Sequence, residues 1–187
     1  MKRFGIVTAA GESRRMGFDK ILTPIADGEC ALGLSLRAMI EGGCEAVVVT
    51  GDESRAAFVA GRSFGVPVYA CPGGDSRRAS VYAGLLFIRD RLAPEEGALA
   101  AIHDAARCFV RPETVRESFL LAEREGAAVA SCAMTDTVYS LAGGAPETVD
   151  RETLRRVQTP QTFRLSEILR CHEAAEKDLA ATDDCSL

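Results

Sequence analysis

The chain has 187 residues, 47% of them hydrophobic and 26% charged, with a formal net charge of −5. That length suits one domain with its own core, and the acidic balance argues against a generic electrostatic grip on nucleic acid or an anionic membrane. Seven widely spaced cysteines without a C-x-x-C pair argue against a disulfide framework or zinc site and fit a reducing cytoplasm.

The first segment, "RFGIVTA" (3–9), reads as a strand, too short for a signal peptide or membrane span, and no later run qualifies. A soluble, cytoplasmic protein is expected. The next stretch, "AAGESRRMGFDK" (9–20), sets two arginines and a lysine around Gly11 and Gly17. A helix is predicted over 32–41, a strand over 45–51, and a second helix over 54–62. "VPVYAC" (66–71) is a third strand, followed by a helix from Ser76 to about Leu92. "ALAAIHDAA" (98–106) is a fourth strand, 112–126 a helix, and "AAVASCAM" (127–134) a fifth strand. Apolar strands alternating with helices predict an α/β fold with a mostly parallel sheet covered on both faces. "DTVYSLAGGAPETVDR" (136–151) breaks the alternation and reads as a projecting β-hairpin around "AGGAP". "RRVQTPQTF" (155–163) reads as a Pro-containing turn, His172 as a solvent-exposed residue of a charged helix, and "TDD" (182–184) as a helix cap.

In parallel α/β sheets, ligands bind beyond the carboxyl ends of the strands. "TAAG", "CPGGDS" and "HDAAR" fall at those ends. Glycine at such a turn lets backbone N–H groups approach phosphate oxygens, although the first turn matches neither the Walker A nor the dinucleotide spacing. Asp104 ends an apolar strand, where a carboxylate can hold Mg²⁺ against phosphate oxygens. The bland alternatives are a solvated loop, a strand-to-helix turn and a helix-capping aspartate. Arg77 and Arg78 read equally well as solvated. No Ser-His-Asp or Cys-His set stands out, which argues against covalent catalysis.

Taken together, "AAG…RRMG…K", "GGDSR…SV", "HDAAR", "DTV", "DR", "QTPQTF" and "TDD" resemble, in order, the 2-C-methyl-D-erythritol 4-phosphate cytidylyltransferases of isoprenoid biosynthesis. The resemblance covers essentially the whole chain. It implies a Rossmann-like nucleotidyltransferase fold, a homodimer joined through the 137–151 arm, and CTP as donor with a divalent metal such as Mg²⁺. It gives Arg15 and Lys20 to the triphosphate and the transition state, and Ala9, Ala10 and Gly11 to the nucleotide lining. Gly74, Asp75 and Ser80 would read cytosine and ribose, Asp104 would ligate the metal, and Arg107 would neighbour it. Thr137, Arg151, Thr159 and Thr182 would hold the phosphorylated acceptor.

The chain departs from the family pattern in three places. Asp19, after a short loop, stands where the family usually has a proline before its lysine, and Cys108 stands where a proline commonly follows "HDAAR". The family also continues past "TDD" to a strand carrying an "N-x-K-x-T"-like motif, so the C-terminal segment is expected to be missing from this single 1–187 domain. Three other readings stay open. One is ribitol 5-phosphate as the acceptor. Another is a molybdenum-cofactor nucleotidyltransferase, suggested by "SRRMGFDK" but lacking "HDAAR" and "QTPQ". The third is a homologue that binds nucleotide without turnover.

Overall fold

The computed structural model describes residues 1–11, 17–175 and 183–186. Its elements follow the hydrophobic periodicity of the chain. Strand β1 (Arg3–Thr8) precedes a small hairpin of β2 (Pro24–Ala26) and β3 (Glu29–Cys30), which the sequence reading missed. Helix α1 (Ala31–Glu41), β4 (Ala46–Gly51), α2 (Glu53–Ala60) and β5 (Val68–Pro72) come next. Helix α3 (Arg77–Phe87) runs on as one π-helical turn over Ile88–Leu92, then β6 (Leu99–Asp104), α4 (Pro112–Glu125) and β7 (Ala127–Ala133) follow. The predicted hairpin is present as β8 (Val138–Ser140) and β9 (Glu147–Val149). The chain then forms β10 (Arg155–Arg164) and α5 (Leu165–Ala174), and a short 3₁₀ turn spans Asp184–Ser186.

The main sheet has the order β5-β4-β1-β6-β10-β7. β5, β4, β1 and β6 are parallel neighbours, while β10 runs antiparallel to both β6 and β7. Side chains alternate across the strands and so build two cores. Val7, Val47, Val49 and Ala101 meet Leu36 and Met39 of α1 and Phe119 of α4. On the other face Ile6, Val48, Ala100 and Ile102 meet Val81 and Leu85 of α3 and Ile168 of α5. Leu36 and Phe119 are wholly buried, and truncating either to alanine costs about 3 kcal/mol. α4 begins with Pro112 in its first turn and ends at Gly126, whose φ of 90° only glycine adopts easily.

Two expectations are corrected here. Residues 155–163 are not a turn but most of β10, an interior strand of the sheet. The proline that argued against a strand is accommodated because the β10–β7 register shifts between Val157 and Gln161, so Pro160 lies where the ladder is interrupted. His172 is also not exposed. It is 3% accessible, stacked on Tyr82 of α3 with centroids 5.7 Å apart. The charged face of α5 turns outward, and His172 shares the inner face with Ile168 and Leu169.

Candidate active site

Strand order reverses between β1 and β6, and there the carboxyl ends open a crevice. Thr8 and Asp104 stand opposite each other in register at the ends of these strands, and the Ala105 N–H donates to the Thr8 carbonyl at 3.0 Å. A cavity of about 720 Å³ opens above them. Its lining brings together Ala9, Ala10, Gly11, Lys20, Gly74, Asp75, Ser80 and Asp104. Eight of the residues the resemblance assigns thus share one pocket, although they come from four separate stretches of chain.

Local chemistry shapes each wall. A Cβ on Gly74 would lie 2.4 Å from the Ala79 Cβ, and one on Gly73 would lie 2.5 Å from the Ala10 Cβ. Only glycine lets this turn pass so close to the first loop. Ser76 caps α3, accepting from the Ala79 N–H at 3.1 Å. The Ser80 hydroxyl accepts from the Gly74 N–H at 3.1 Å and donates to the Ser76 carbonyl at 2.9 Å. Ser80 therefore braces the glycine turn.

Opposite, Arg55 supports the loop that ends at Lys20. Its guanidinium donates to the Ala9 carbonyl at 3.1 Å and pairs with Asp19 at 2.7 Å and Asp52 at 3.2 Å. Asp19 also accepts from the Ile21 N–H at 2.9 Å. The Arg55–Asp19 ion pair thus holds the backbone just before Lys20.

Several neighbours condition the Asp104 carboxylate. Its carboxylate accepts from Arg77 Nε at 2.8 Å, Arg107 Nε at 3.2 Å and the Thr8 hydroxyl at 3.3 Å. Burial by itself would raise its pKa, but the charges and hydrogen bonds of Arg77 and Arg107 outweigh burial and hold it below the usual carboxylate value. It is therefore an ionised carboxylate at neutral pH. Beside it His103 is fully buried, with Nδ1 2.9 Å from the Thr159 hydroxyl, and burial pulls its pKa down to about 4. His103 is a neutral, structural imidazole.

The remaining predicted residues lie elsewhere. Arg107 bonds the Gln158 amide oxygen and, with Thr159, borders another cavity of about 510 Å³. Thr137 and Arg151 flank the hairpin, exposed and outside both cavities, with Arg151 bonded to the Thr135 carbonyl at 2.9 Å. Arg15 and Thr182 fall outside the described residues. Arg77 is a pocket residue that sequence reasoning left as solvated. Its place just after "GGDS" on a helix start was the available signal. Burial raises the Cys44 and Cys71 thiols, Cys71 to about 11, the opposite of what a nucleophile needs.

Glycine turns, a lysine and an ionised strand-end carboxylate meet at the switch point of a parallel sheet, the arrangement expected of a phosphate-binding α/β site. Comparison with known proteins narrows that class. The family model for 2-C-methyl-D-erythritol 4-phosphate cytidylyltransferase matches residues 4–187, and the chain belongs to this family. It is 32% identical to the enzyme of that name from Bacillus cytotoxicus, over 97% of this chain and 81% of the relative. It is 38% identical to a bifunctional IspD/IspF enzyme from Anaeromyxobacter dehalogenans over 98% of this chain, and spans only 48% of that longer protein. The crystal structure of the Thermus thermophilus cytidylyltransferase superimposes with a TM-score of 0.74 at 30% identity, covering 99% of this chain and 82% of that one. This membership supports the methylerythritol phosphate reading over the ribitol phosphate and molybdenum-cofactor readings.

Proposed function

We propose that the chain moves CMP from CTP to 2-C-methyl-D-erythritol 4-phosphate and releases pyrophosphate. The observation that carries this is the grouping of Lys20, Asp104 and the Gly74–Ser80 turn around one crevice, in a chain of this family. An acceptor phosphate oxygen, already ionised near neutral pH, attacks the α-phosphorus of CTP. The bond from that phosphorus to the β-phosphate oxygen breaks, and pyrophosphate leaves with its electron pair. No general base is required. The obstacle is repulsion, since two unit charges ~4 Å apart at an effective dielectric of ~20 repel by about 4 kcal/mol. Lys20 and Arg15 offset that charge as it grows. Ala9, Ala10, Gly11, Gly74, Asp75 and Ser80 seat the nucleotide, and Arg107 stands beside the reacting phosphates. Thr159 and Thr182, with Thr137 and Arg151, hold the acceptor.

The residues also fit a divalent cation. Among the described residues no three His, Cys, Asp or Glu side chains gather into a cage, and Asp104 presents one ionised carboxylate. Mg²⁺ is commonly held by one or two carboxylates with the substrate's phosphates supplying further ligands. Asp104 would hold it, and its chemistry there is neutralisation of phosphate charge.

The hairpin exposes Tyr139 (57%) and Leu141 (68%). We place it as an arm reaching a second copy of this chain, which would bring Thr137 and Arg151 to the partner's pocket. We place the reaction in the cytoplasm, on small phosphorylated substrates rather than on nucleic acid or a membrane. The chain's net charge of −5 argues against a generic electrostatic grip on nucleic acid or an anionic membrane. Among the described residues no helix is long and apolar enough to cross a membrane.

Pyrophosphate release from CTP and Mg²⁺ tests the reading, with methylerythritol phosphate and ribitol phosphate assayed in parallel. Turnover with methylerythritol phosphate is expected. Turnover with ribitol phosphate alone would overturn the acceptor, and CTP binding without turnover would overturn the enzyme. Sedimentation of Leu141→Glu tests the arm. A dimer is expected for the unmodified chain and a shift toward monomer for the variant.

A further inference from the structure

Arg77, the first residue of α3, is forked between two carboxylates that are remote in sequence. Its Nε donates to Asp104 Oδ1 at 2.8 Å and its Nη1 to Asp184 Oδ2 at 2.8 Å. Asp104 lines the crevice; Asp184 does not. The Asp184 side chain is only 2% exposed. Its backbone N–H is held by the Gln161 amide oxygen at 3.1 Å, and Gln161 is itself a buried residue of β10. His172 lies behind it, with Nε2 3.5 Å from Asp184 Oδ1.

A buried carboxylate is costly unless it is paired and hydrogen-bonded. Asp184 therefore dictates where the Arg77 guanidinium points, and β10 in turn dictates where Asp184 sits. The planar fork leaves little freedom, since a guanidinium presents its donors in a fixed geometry. Its second arm takes Oδ1 of Asp104, leaving Oδ2 to Arg107 at 3.2 Å.

We infer that Asp184 is a positioning residue for nucleotidyl transfer, acting through Arg77 to orient the Asp104 carboxylate. The 3₁₀ turn at 184–186 and β10 thus form part of the machinery without lining the crevice. This inference rests on the reading of Asp104 as the carboxylate that serves the triphosphate. It assigns Asp184 no contact with nucleotide or acceptor.

The test compares Asp184→Asn, Arg77→Lys, their double variant and Asp104→Asn in the full chain, each checked for folding by circular dichroism. The readouts are kcat, KM for the acceptor, and uptake of Mn²⁺ with CTP followed by electron paramagnetic resonance. Misplacing a catalytic group by ~1 Å can cost about 100-fold in rate, so Asp184→Asn is expected to lower kcat about 10- to 100-fold. Mn²⁺ uptake should weaken about tenfold, while acceptor KM stays within about twofold, as expected for loss of an outer partner that orients a metal-binding carboxylate. The double variant should be no worse than the poorer single one, because both break the same path. Asp184→Glu, which keeps the charge, should recover part of the loss.

Should Asp184→Asn not fold, Arg77→Lys carries the same expectations, because one amine keeps the charge but cannot span both carboxylates. An impaired Asp104→Asn beside a folded variant at position 184 or 77 with unchanged kcat and Mn²⁺ uptake would overturn the relay alone. Unchanged kcat in Asp104→Asn would overturn the reading of Asp104 and the relay with it.

Discussion

Arg55 and Arg77 occupy equivalent places in neighbouring βα units, each near the start of a helix that follows a parallel strand. Their surroundings differ. Arg55 is 7% exposed and grips Asp19, Asp52 and the Ala9 carbonyl, contributing nothing to the crevice lining. Arg77 is 32% exposed, lines the crevice and shares itself between a buried and a pocket carboxylate. One residue type thus serves first as a strut beneath a loop and then as a connection between the sheet and the chemistry. The difference follows from what the preceding turns place beside each guanidinium, since both side chains have the same donors and the same charge.

The sharpest way to strengthen this contrast lies in the loop that Arg55 supports. Lys20→Ala should lower kcat by about 10²–10³, the usual cost of removing one group that meets developing charge, and leave the fold intact. Near-normal turnover would remove Lys20 from the clamp and leave Arg55 supporting an inert loop.

Arg55→Met should act the other way. Losing its hydrogen bonds and ion pairs costs about 2–3 kcal/mol, read as a drop of roughly 5–10 °C in thermal melting. Its kcat, measured well below melting, should fall much less than that of Lys20→Ala. If Arg55→Met silenced turnover without destabilising the chain, the two arginines would not differ in kind.

Acid separates the groups near Asp104. His103 is neutral in the fold, with a pKa pulled down to about 4 from an ordinary 6.5. The unfolded chain therefore binds the extra proton between those values. Stability should be full above pH 6.5 and drain as pH falls toward 4, and His103→Gln should flatten that window. Asp104 is held below its ordinary 3.8, so its ion pairs persist through that window and fail only at lower pH. Denaturant titrations from pH 7 to 3 would resolve the two steps. An unchanged slope between pH 6.5 and 4 in His103→Gln would show that burial of His103 is not the cause.

The smallest effect is expected at the cap of α2. Asp52 accepts from the Ser54 and Arg55 N–H groups, and Asp52→Ala should cost about 1 kcal/mol with kcat unaltered. A larger loss would mean that Asp52 contributes chiefly as a partner of Arg55.

The alternating α/β frame was legible because apolar runs such as "GIV" and "AVVV" are buried on both faces and leave little else to read. The glycine turns, Lys20, Asp104 and the hairpin around Gly144 were legible for a similar reason, since turn chemistry and strand-end placement are local properties. Other features depended on partners distant in sequence. β10 contains a proline and no clean alternation, and it is a strand because β6 and β7 supply ladders on either side with a register shift at the proline. His172 looked exposed in a charged helix, and only the packing of α5 against α3 buries it on Tyr82. Arg77 looked solvated until folding brought Asp104 and Asp184, 27 and 107 residues away, within reach of one guanidinium. Sequence by itself determined which residue types stand at each strand end. Tertiary structure decided which charges meet there, because an ion pair depends on distance in space rather than along the chain.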